Sequence, residues 1–335
     1  MRPDTPEEAA ELLRTLGEEG RPVHPRGGGT KDWGPVIEDA AIVETGGLAR
    51  ILEHNVGDFT AVLEAGVPLA RAQAEFAEHG QMLAIDPAPH DAATVGGVMA
   101  ANDSGPLRHR YGSMRDLVVG TTVALSDGTL GLIVRVAVRL HPLPPASASA
   151  AGAAGDPQLL GEAAGALAAR PLEADCLDVD WRDGAGRLLV RFGGAAAGDQ
   201  AAATVEQMSA LGLAGCAVIE DDDELWETQR AHQRGSCVLK VSGRVTDLPA
   251  VCRTGAAVTG RPALGLYWLS LAPGEIAGAR QALAPRACTL LDAPPELRAQ
   301  TWSAPDPGAL AVMARVKERF DPARSFRTGT FVGGI

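Results

Sequence analysis

Three consecutive glycines at positions 27–29 constrain this chain more than any other feature. They sit in the stretch His24-Pro25-Arg26-Gly27-Gly28-Gly29-Thr30-Lys31-Asp32-Trp33-Gly34. Without Cβ atoms the backbone turns sharply, and several N–H groups can converge on one point. Arg26 and Lys31 flank the loop with positive charge. Amide donors framed by cations suit a phosphate, above all the linked phosphates of a dinucleotide. The competing reading is a plain turn, which is what most glycine-rich loops are. Two familiar phosphate loops are excluded, because no G-K-[ST] closes the stretch and no G-x-G-x-x-G opens a helix. The rest of the chain decides between turn and phosphate site.

The 335 residues suffice for two domains, since domains commonly run about 100–200 residues. Aromatic residues make up 4%, few for stacking on bases, and the net charge of −12 repels a polyanion. Both argue against a nucleic-acid partner and leave room for a local phosphate site. No run of about 18 apolar residues occurs, so no transmembrane segment is expected. The start Met1-Arg2-Pro3-Asp4-Thr5-Pro6-Glu7-Glu8 lacks the apolar core of a signal peptide. Cys176, Cys216, Cys237, Cys252 and Cys288 are odd in number and lack C-x-x-C spacing. That favours reduced thiols over disulfides, zinc or an iron–sulfur cluster, and a cytoplasmic protein is expected.

Thr5-Pro6-Glu7-Glu8 combines an N-cap hydroxyl, proline at the first helical position and acids in the first turn. It predicts a helix to about residue 16, ended by Gly17 and Gly20. Residues 41–44 and 59–66 read as strands, 51–54 as a short connecting helix, and 68–78 as a helix stopped by His79-Gly80. A long stretch poor in regular pattern follows at 85–105, and such segments are usually functional. Its small residues Gly96, Gly97, Ala100 and Ala101 let a flat ligand lie against backbone. Residues 117–125 and 130–140 read as a hairpin around Ser126-Asp127-Gly128. Residues 146–155, rich in Ala, Ser and Gly, read as a linker, which gives domains at 1–145 and 156–335. Beyond it, helix 159–168, strands 174–181 and 187–192 and helix 199–211 predict an antiparallel α+β domain with helices on one face. Asp221-Asp222-Asp223-Glu224 reads as a solvated helix start, not a metal site. Strands at 236–241 and 264–271 and helices at 246–255, 275–283 and 306–318 complete the reading.

Four stretches stand in a telling order: Arg26-Gly27-Gly28-Gly29-Thr30, Ala93-Thr94-Val95-Gly96-Gly97-Val98-Met99-Ala100-Ala101, Tyr111-Gly112-Ser113-Met114-Arg115-Asp116 and Gly131-Leu132-Ile133. Together they resemble the FAD-binding domain of the vanillyl-alcohol oxidase superfamily, the PCMH type, and most closely the smaller FAD-binding subunit of bacterial glycolate oxidase. Ser104-Gly105-Pro106 resembles an S-G-P of that subunit, and Val316-Lys317-Glu318-Arg319-Phe320-Asp321-Pro322 resembles the C-terminal signature of FAD-linked oxidases. The resemblance covers almost the whole chain. It implies an α+β protein: a PCMH-type domain of two α+β subdomains, then an antiparallel α+β FAD-linked-oxidase-like domain. It further implies that Arg26, Gly27, Gly28, Gly29 and Thr30, with Lys31 beside them, grip the FAD pyrophosphate. Thr94, Gly96 and Gly97, with Ser104 and Gly105, would lie along the cofactor. Tyr111, Gly112, Arg115 and Asp116 would frame the isoalloxazine, and Gly131 and Ile133 would offer backbone along the nucleotide. Relatives with covalent FAD often carry a histidine just after the loop glycines, where Thr30-Lys31 stand here, so non-covalent FAD is expected.

One departure is plain. In the family some tens of residues, with a helix and a K-N-x-x-G-Y-D-L pattern close to the flavin, separate the D-G turn from the G-T-L-G strand. Here Asp127-Gly128 runs directly into Thr129-Leu130-Gly131. One wall of the pocket is therefore expected to be missing near 128–130. For catalysis, the resemblance to larger FAD-linked oxidases points to Arg230, in Trp226-Glu227-Thr228-Gln229-Arg230, and to Lys240. Arg230 or Arg234 would clamp a carboxylate, with exposed helix charge as the bland alternative. His232 reads as a solvated residue; no base is assigned and no metal is expected. Two functions stay open. One is an FAD-dependent subunit that oxidises a small 2-hydroxy acid such as glycolate or D-lactate. It would act beside a larger FAD-linked oxidase subunit and an iron–sulfur subunit, and sit peripheral to the membrane through them. The other is a degenerate, non-catalytic scaffold in the same complex.

Overall fold

The computed structural model describes residues 1–31, 33–35, 39–88, 91–124, 131–303, 305–322, 324, 326 and 331–335. The Thr5 hydroxyl accepts from the Glu8 N–H and caps α1 (Pro6–Glu18), whose Ala9, Leu13 and Leu16 are buried. β1 (Val23–Arg26) pairs in parallel with β2 (Ala41–Glu44) and delivers the chain to the glycines. Next come β3 (Ile51–Asn55), β4 (Thr60–Glu64), α2 (Leu69–Ala77), β5 (Gln81–Met82), α3 (Val95–Ala101), α4 (Arg108–Tyr111), α5 (Met114–Leu117), β6 (Val118–Ala124), β7 (Leu132–Arg139) and β8 (His141–Pro142). An antiparallel sheet runs β3-β4-β7-β6. On β7 every second residue points inward, as a half-buried strand requires. Leu132 and Val134 join the α1 core, and Val136 and Val138 join the core under α2.

Two expectations change here. Residues 51–54 are the strand β3, with His54 opposite Ala61, because a four-residue segment gains little from a helical turn and much from a ladder. The stretch 85–105 contains α3, capped by the Thr94 hydroxyl, which accepts from the Gly97 N–H. Its glycines disfavour a helix, but close packing on β4 overrides that: the Gly96 N–H donates to the Ala65 carbonyl at 2.8 Å. The shortened turn near 128–130 lies outside the described residues. On either side of it, Ala124 pairs with Leu132 and the strands are antiparallel.

The second half comprises β9 (Ser147–Ala154), α6 (Pro157–Ala168), β10 (Cys176–Arg182), β11 (Ala185–Gly193), α7 (Ala197–Ala210), β12 (Ala214–Ile219), α8 (Asp223–Ala231), β13 (Val238–Ser242), α9 (Leu248–Cys252), β14 (Ala257–Arg261), β15 (Leu266–Ser270), α10 (Ile276–Leu283), β16 (Ala287–Asp292) and α11 (Pro307–Phe320). Eight strands form one antiparallel sheet in the order β12-β9-β11-β10-β14-β15-β13-β16. The expected linker at 146–155 is therefore a strand inside this sheet. Its small residues lie mostly buried between β11 and β12, where bulk is unwelcome, with Leu213 and Cys216 packed against Gly152. Residues of α6, α7, α9 and α10 join one core with Leu177, Val179 and Trp181 of β10. The opposite face of β10 carries Cys176, Asp178 and Asp180, and α8 covers it: Trp226 packs with Cys176, and Gln229 reaches Asp178. The helices thus lie on both faces, because α8 brings its own apolar residue to the second one. Among the described residues no helix is long and apolar enough to cross a membrane.

Candidate functional site

The glycine loop is shaped by what it touches. A Cβ on Gly27 would stand 2.2 Å from Thr94 Oγ1, and one on Gly28 1.7 Å from the Ala92 carbonyl oxygen. No side chain fits at either position, so the loop lies directly on the residues that open α3. The Arg26 guanidinium folds over Gly29, and Lys31 Nζ pairs with Asp103 at 3.1 Å. A cleft of about 450 Å³ opens here, lined by residues 26–31, Thr94, Gly97 and the small Ala100 and Ala101. Its far wall comes from the end of the chain, with Trp302, Lys317, Phe326 and Phe331. A bridge from Val23 to Phe326 brings that tail back. Lys317 Nζ donates to the Phe326 carbonyl at 2.6 Å and pairs with Asp321. The donor set fits a dinucleotide: a glycine cradle, the Arg26 guanidinium for a diphosphate with the paired Lys31 and Lys317 at its edges, and flat apolar walls for a ring.

The other sequence-predicted residues lie around this cleft in different settings. Gly96 faces β4, with its N–H committed to Ala65. The Ser104 hydroxyl accepts from Arg108 Nη1 at 3.3 Å, and Gly105 packs on Asp86. Tyr111 meets the His141 ring edge-on at 4.8 Å. Burial and the nearby Asp175 push the Tyr111 hydroxyl up to about 12. Past the turn at Gly112, Asp116 accepts from the Ser113 N–H and hydroxyl, both at 2.8 Å, which holds its carboxyl below the usual range. The Arg115 N–H donates to Asn102 Oδ1. Gly131 leads into β7, and Ile133 pairs with Val123.

A second assembly lies between the two halves. Arg230 Nη1 is 3.8 Å from Asp86 Oδ2, and both border a cavity of about 720 Å³ with Gln73, Gln81 and Leu107. Arg234 is saturated: it forks onto Asp292 at 2.7 and 2.8 Å and donates to the carbonyls of Thr30 and Ala88. The expectation that Arg234 could clamp a carboxylate therefore fails, because its fork already holds one and straps the sheet to the glycine loop. His232 is not simply solvated either; its Nδ1 lies 3.5 Å from Asp180 Oδ1. Lys240 is mostly buried, which pulls its ammonium down, and it sits 5.6 Å from the Trp268 ring centre. Arg261 stacks on the same ring at 4.5 Å. Sequence reasoning missed Arg261, Trp268 and Asp178. The available signal was β10 itself, where Asp178 and Asp180 alternate with Leu177, Val179 and Trp181, an acid every second residue of a buried strand. Among the described residues no group of three or more His, Cys, Asp or Glu could hold a metal ion.

With this geometry in view, the comparisons with known proteins are specific. Residues 1–131 match the family model described as an FAD binding domain. D-lactate dehydrogenase [cytochrome], mitochondrial, of Arabidopsis thaliana is 27% identical over 171 residues, 42% of this chain and 30% of that one. Mitochondrial D-2-hydroxyglutarate dehydrogenase of Bos taurus is 33% identical over 133 residues, 39% of this chain and 24% of that one. The matched stretch thus spans less than a third of either relative. An alkyldihydroxyacetonephosphate synthase structure superposes with a TM-score of 0.73 at 15% identity, over 97% of this chain and 75% of that one. The architecture is accordingly α+β: a first half that matches an FAD binding domain, then a second half built on one antiparallel sheet, in a fold shared with that synthase structure. Residues 1–131 are thus similar to an FAD binding domain and to part of the D-lactate and D-2-hydroxyglutarate dehydrogenases named above.

Proposed function

We propose that the chain is the FAD-binding subunit of a glycolate oxidase-like 2-hydroxy-acid dehydrogenase and holds its FAD without a covalent bond. The observation that carries this reading is the cleft in which the glycines meet Thr94 under three flanking cations. Arg26 would neutralise the diphosphate, while Lys31, tied to Asp103, and Lys317, tied to Asp321, fix the loop's exit and the returning tail. The Arg234 strap between Thr30 and Asp292 would hold the loop against the second domain. Lys240 would offer a carboxylate-binding cation in the interdomain layer. Bound FAD would supply the two-electron acceptor. A larger FAD-linked oxidase subunit and an iron–sulfur subunit would carry the electrons onward, at the cytoplasmic side.

The second reading is a non-catalytic scaffold subunit of the same complex. One observation favours it: Arg261 and Asp178, in the layer where an acid would react, have no solvent exposure. A flavin spectrum separates the two. The enzyme reading expects close to one flavin per chain, released into the supernatant on acid precipitation and reduced by glycolate or D-lactate with partner subunits present. Stoichiometric FAD that neither acid reduces would leave the scaffold.

A further inference from the structure

α11 stands apart from the other long helices. Each of the other helices of eight or more residues buries at least two side chains, from Ala9, Leu13 and Leu16 of α1 to Trp226 and Gln229 of α8. The 14 residues of α11 bury none. Leu310, Ala314 and Lys317 are half-buried and form its inner side, where Lys317 Nζ donates to the Phe326 carbonyl and lines the cleft. The outer side is apolar. Val312, Met313, Val316 and Phe320 are 51%, 39%, 42% and 49% exposed, and Ala309 is exposed with them. At 3.6 residues per turn these side chains share a stripe about 100° wide, the width with which a helix normally faces a core. Ala309, Met313, Val316 and Phe320 follow one another at steps of four, three and four residues, the a/d spacing with which one helix packs on another. The helix is about 21 Å long at 1.5 Å per residue, so the stripe has the footprint of one further helix.

The charges beside the stripe select what covers it. Arg315 and Arg319 run along one edge, both exposed, and no hydrogen bond or ion pair engages them among the described residues. Lys317, towards the other edge, is already paired with Asp321. Within α11 three cations stand against one acid, Glu318, on a chain whose net charge is −12. A second α11 would meet the arginines with cations in either orientation, its own arginine edge when antiparallel and its Lys317 edge when parallel. An anionic lipid surface would suit the arginines but repel the rest of so acidic a chain. We propose that the outer face of α11 docks an acidic amphipathic helix of a partner protein. Its apolar side covers Met313, Val316 and Phe320, and its carboxylates meet Arg315 and Arg319. This gives the partner a surface and a chemistry that the subunit reading leaves open. The site needs no flavin, so it stands or falls apart from the dehydrogenase reading.

The probe is a labelled synthetic helix of about three heptads with Leu at a and d and Glu at e and g, whose like charges keep it from pairing with itself. It is titrated against the full chain by fluorescence anisotropy. An acidic peptide has little else to bind on an acidic chain. Binding should saturate, and it should weaken about 3–10-fold between low and high salt as the rim charges are screened. Val316→Glu should weaken it at least ~10-fold by breaking the centre of the seam. That position is exposed, so the melting temperature should not move; Met313→Glu repeats the test if the first variant does not fold. The double change Arg315→Glu with Arg319→Glu should also weaken binding about 10-fold, and most of that difference should vanish at high salt. No binding in wild type, or binding that ignores both changes, overturns the site. Loss with Val316→Glu but not with the arginine changes overturns the acidic chemistry of the partner. Two further measurements expose the other occupants. Sedimentation with phosphatidylserine vesicles that Val316→Glu abolishes, with no peptide binding, overturns the helix in favour of lipid. A wild-type chain that is dimeric in sedimentation velocity, with Val316→Glu monomeric, overturns it in favour of a second copy.

Discussion

Adding one methyl group at Gly28 tests the loop as both packing and binding element. The Cβ of Gly28→Ala would start 1.7 Å from the Ala92 carbonyl oxygen, and real Cβ atoms essentially never come within 3.0 Å of a neighbour. The obstacle is backbone, so no side chain can swing away; the loop or the approach to α3 must move by at least about 1.3 Å to reach that limit. Overpacking of this kind costs about 1–3 kcal/mol of folding stability. A shift on that scale also takes the loop's donors off a phosphate, and losing one charge-assisted bond lowers affinity about 10–100-fold. The assay pairs urea melts with FAD titration by flavin fluorescence. Gly278→Ala, inside α10 with nothing near its Cβ, is the control. It should gain about 0.5–1 kcal/mol and leave FAD binding unchanged. A Gly28→Ala protein that melts lower but binds FAD as wild type does would reduce the loop to packing and refute its phosphate role. One that melts and binds as wild type would refute the contact itself.

Three further outcomes are expected. Arg234→Ala, which cuts the strap from Thr30 and Ala88 to Asp292, should cost about 1–3 kcal/mol in urea melts and weaken FAD binding; Arg234→Lys should restore little, since an ammonium cannot reproduce the fork. Asp86 and Asp178 titrate at about 6 and about 7 against 3.8 for an ordinary aspartate, so the folded chain keeps protons the unfolded chain has lost. The stability they contribute is full below pH ~4 and is lost as pH rises through 7, at up to about 1.4 kcal/mol per unit for each group. Melts from pH 5 to 8 should fall less steeply for Asp178→Asn than for wild type, and parallel slopes would count against the shifted aspartate. Finally, β6 ends its sheet with Val119 69% exposed on an uncharged strand, so Val119→Lys should reduce turbidity on heating without lowering the melting temperature.

The parts of the fold legible in the sequence are those specified locally. Thr5 caps α1 through a bond three residues long, and β6 and β7 carry alternation on either side of an Asp-Gly dipeptide. β9 was illegible for the opposite reason. Ser147–Ala154 carries the composition of a flexible linker, and only pairing with β11, with Ser147 opposite Gly193 and Ala154 opposite Gly186, makes it a strand. Small side chains there are what a strand lying under neighbours needs, and composition cannot tell that demand from flexibility.

The site divides along the same line. Its glycine cradle is written in contiguous residues, and Thr94 follows in the next telling stretch. Its cations are not. Arg230, Arg234 and Arg261 look alike as letters, and motif reasoning favoured the first two because Arg230 shares α8 with Trp226 and Arg234 follows just beyond it. Hydrogen-bond accounting reorders them. Arg234 reaches 204 residues back to Thr30 and spends its fork on Asp292, so it is a strap. Arg230 leans on Asp86 at the rim of a cavity. Arg261 alone of the three is fully buried with every side-chain nitrogen unpartnered among the described residues. A buried arginine is ordinarily satisfied by the fold that encloses it, and Arg261, held by stacking on Trp268, departs from that rule. That difference depends on β10, β14 and β15 being neighbours, a long-range register that no single stretch of this sequence encodes.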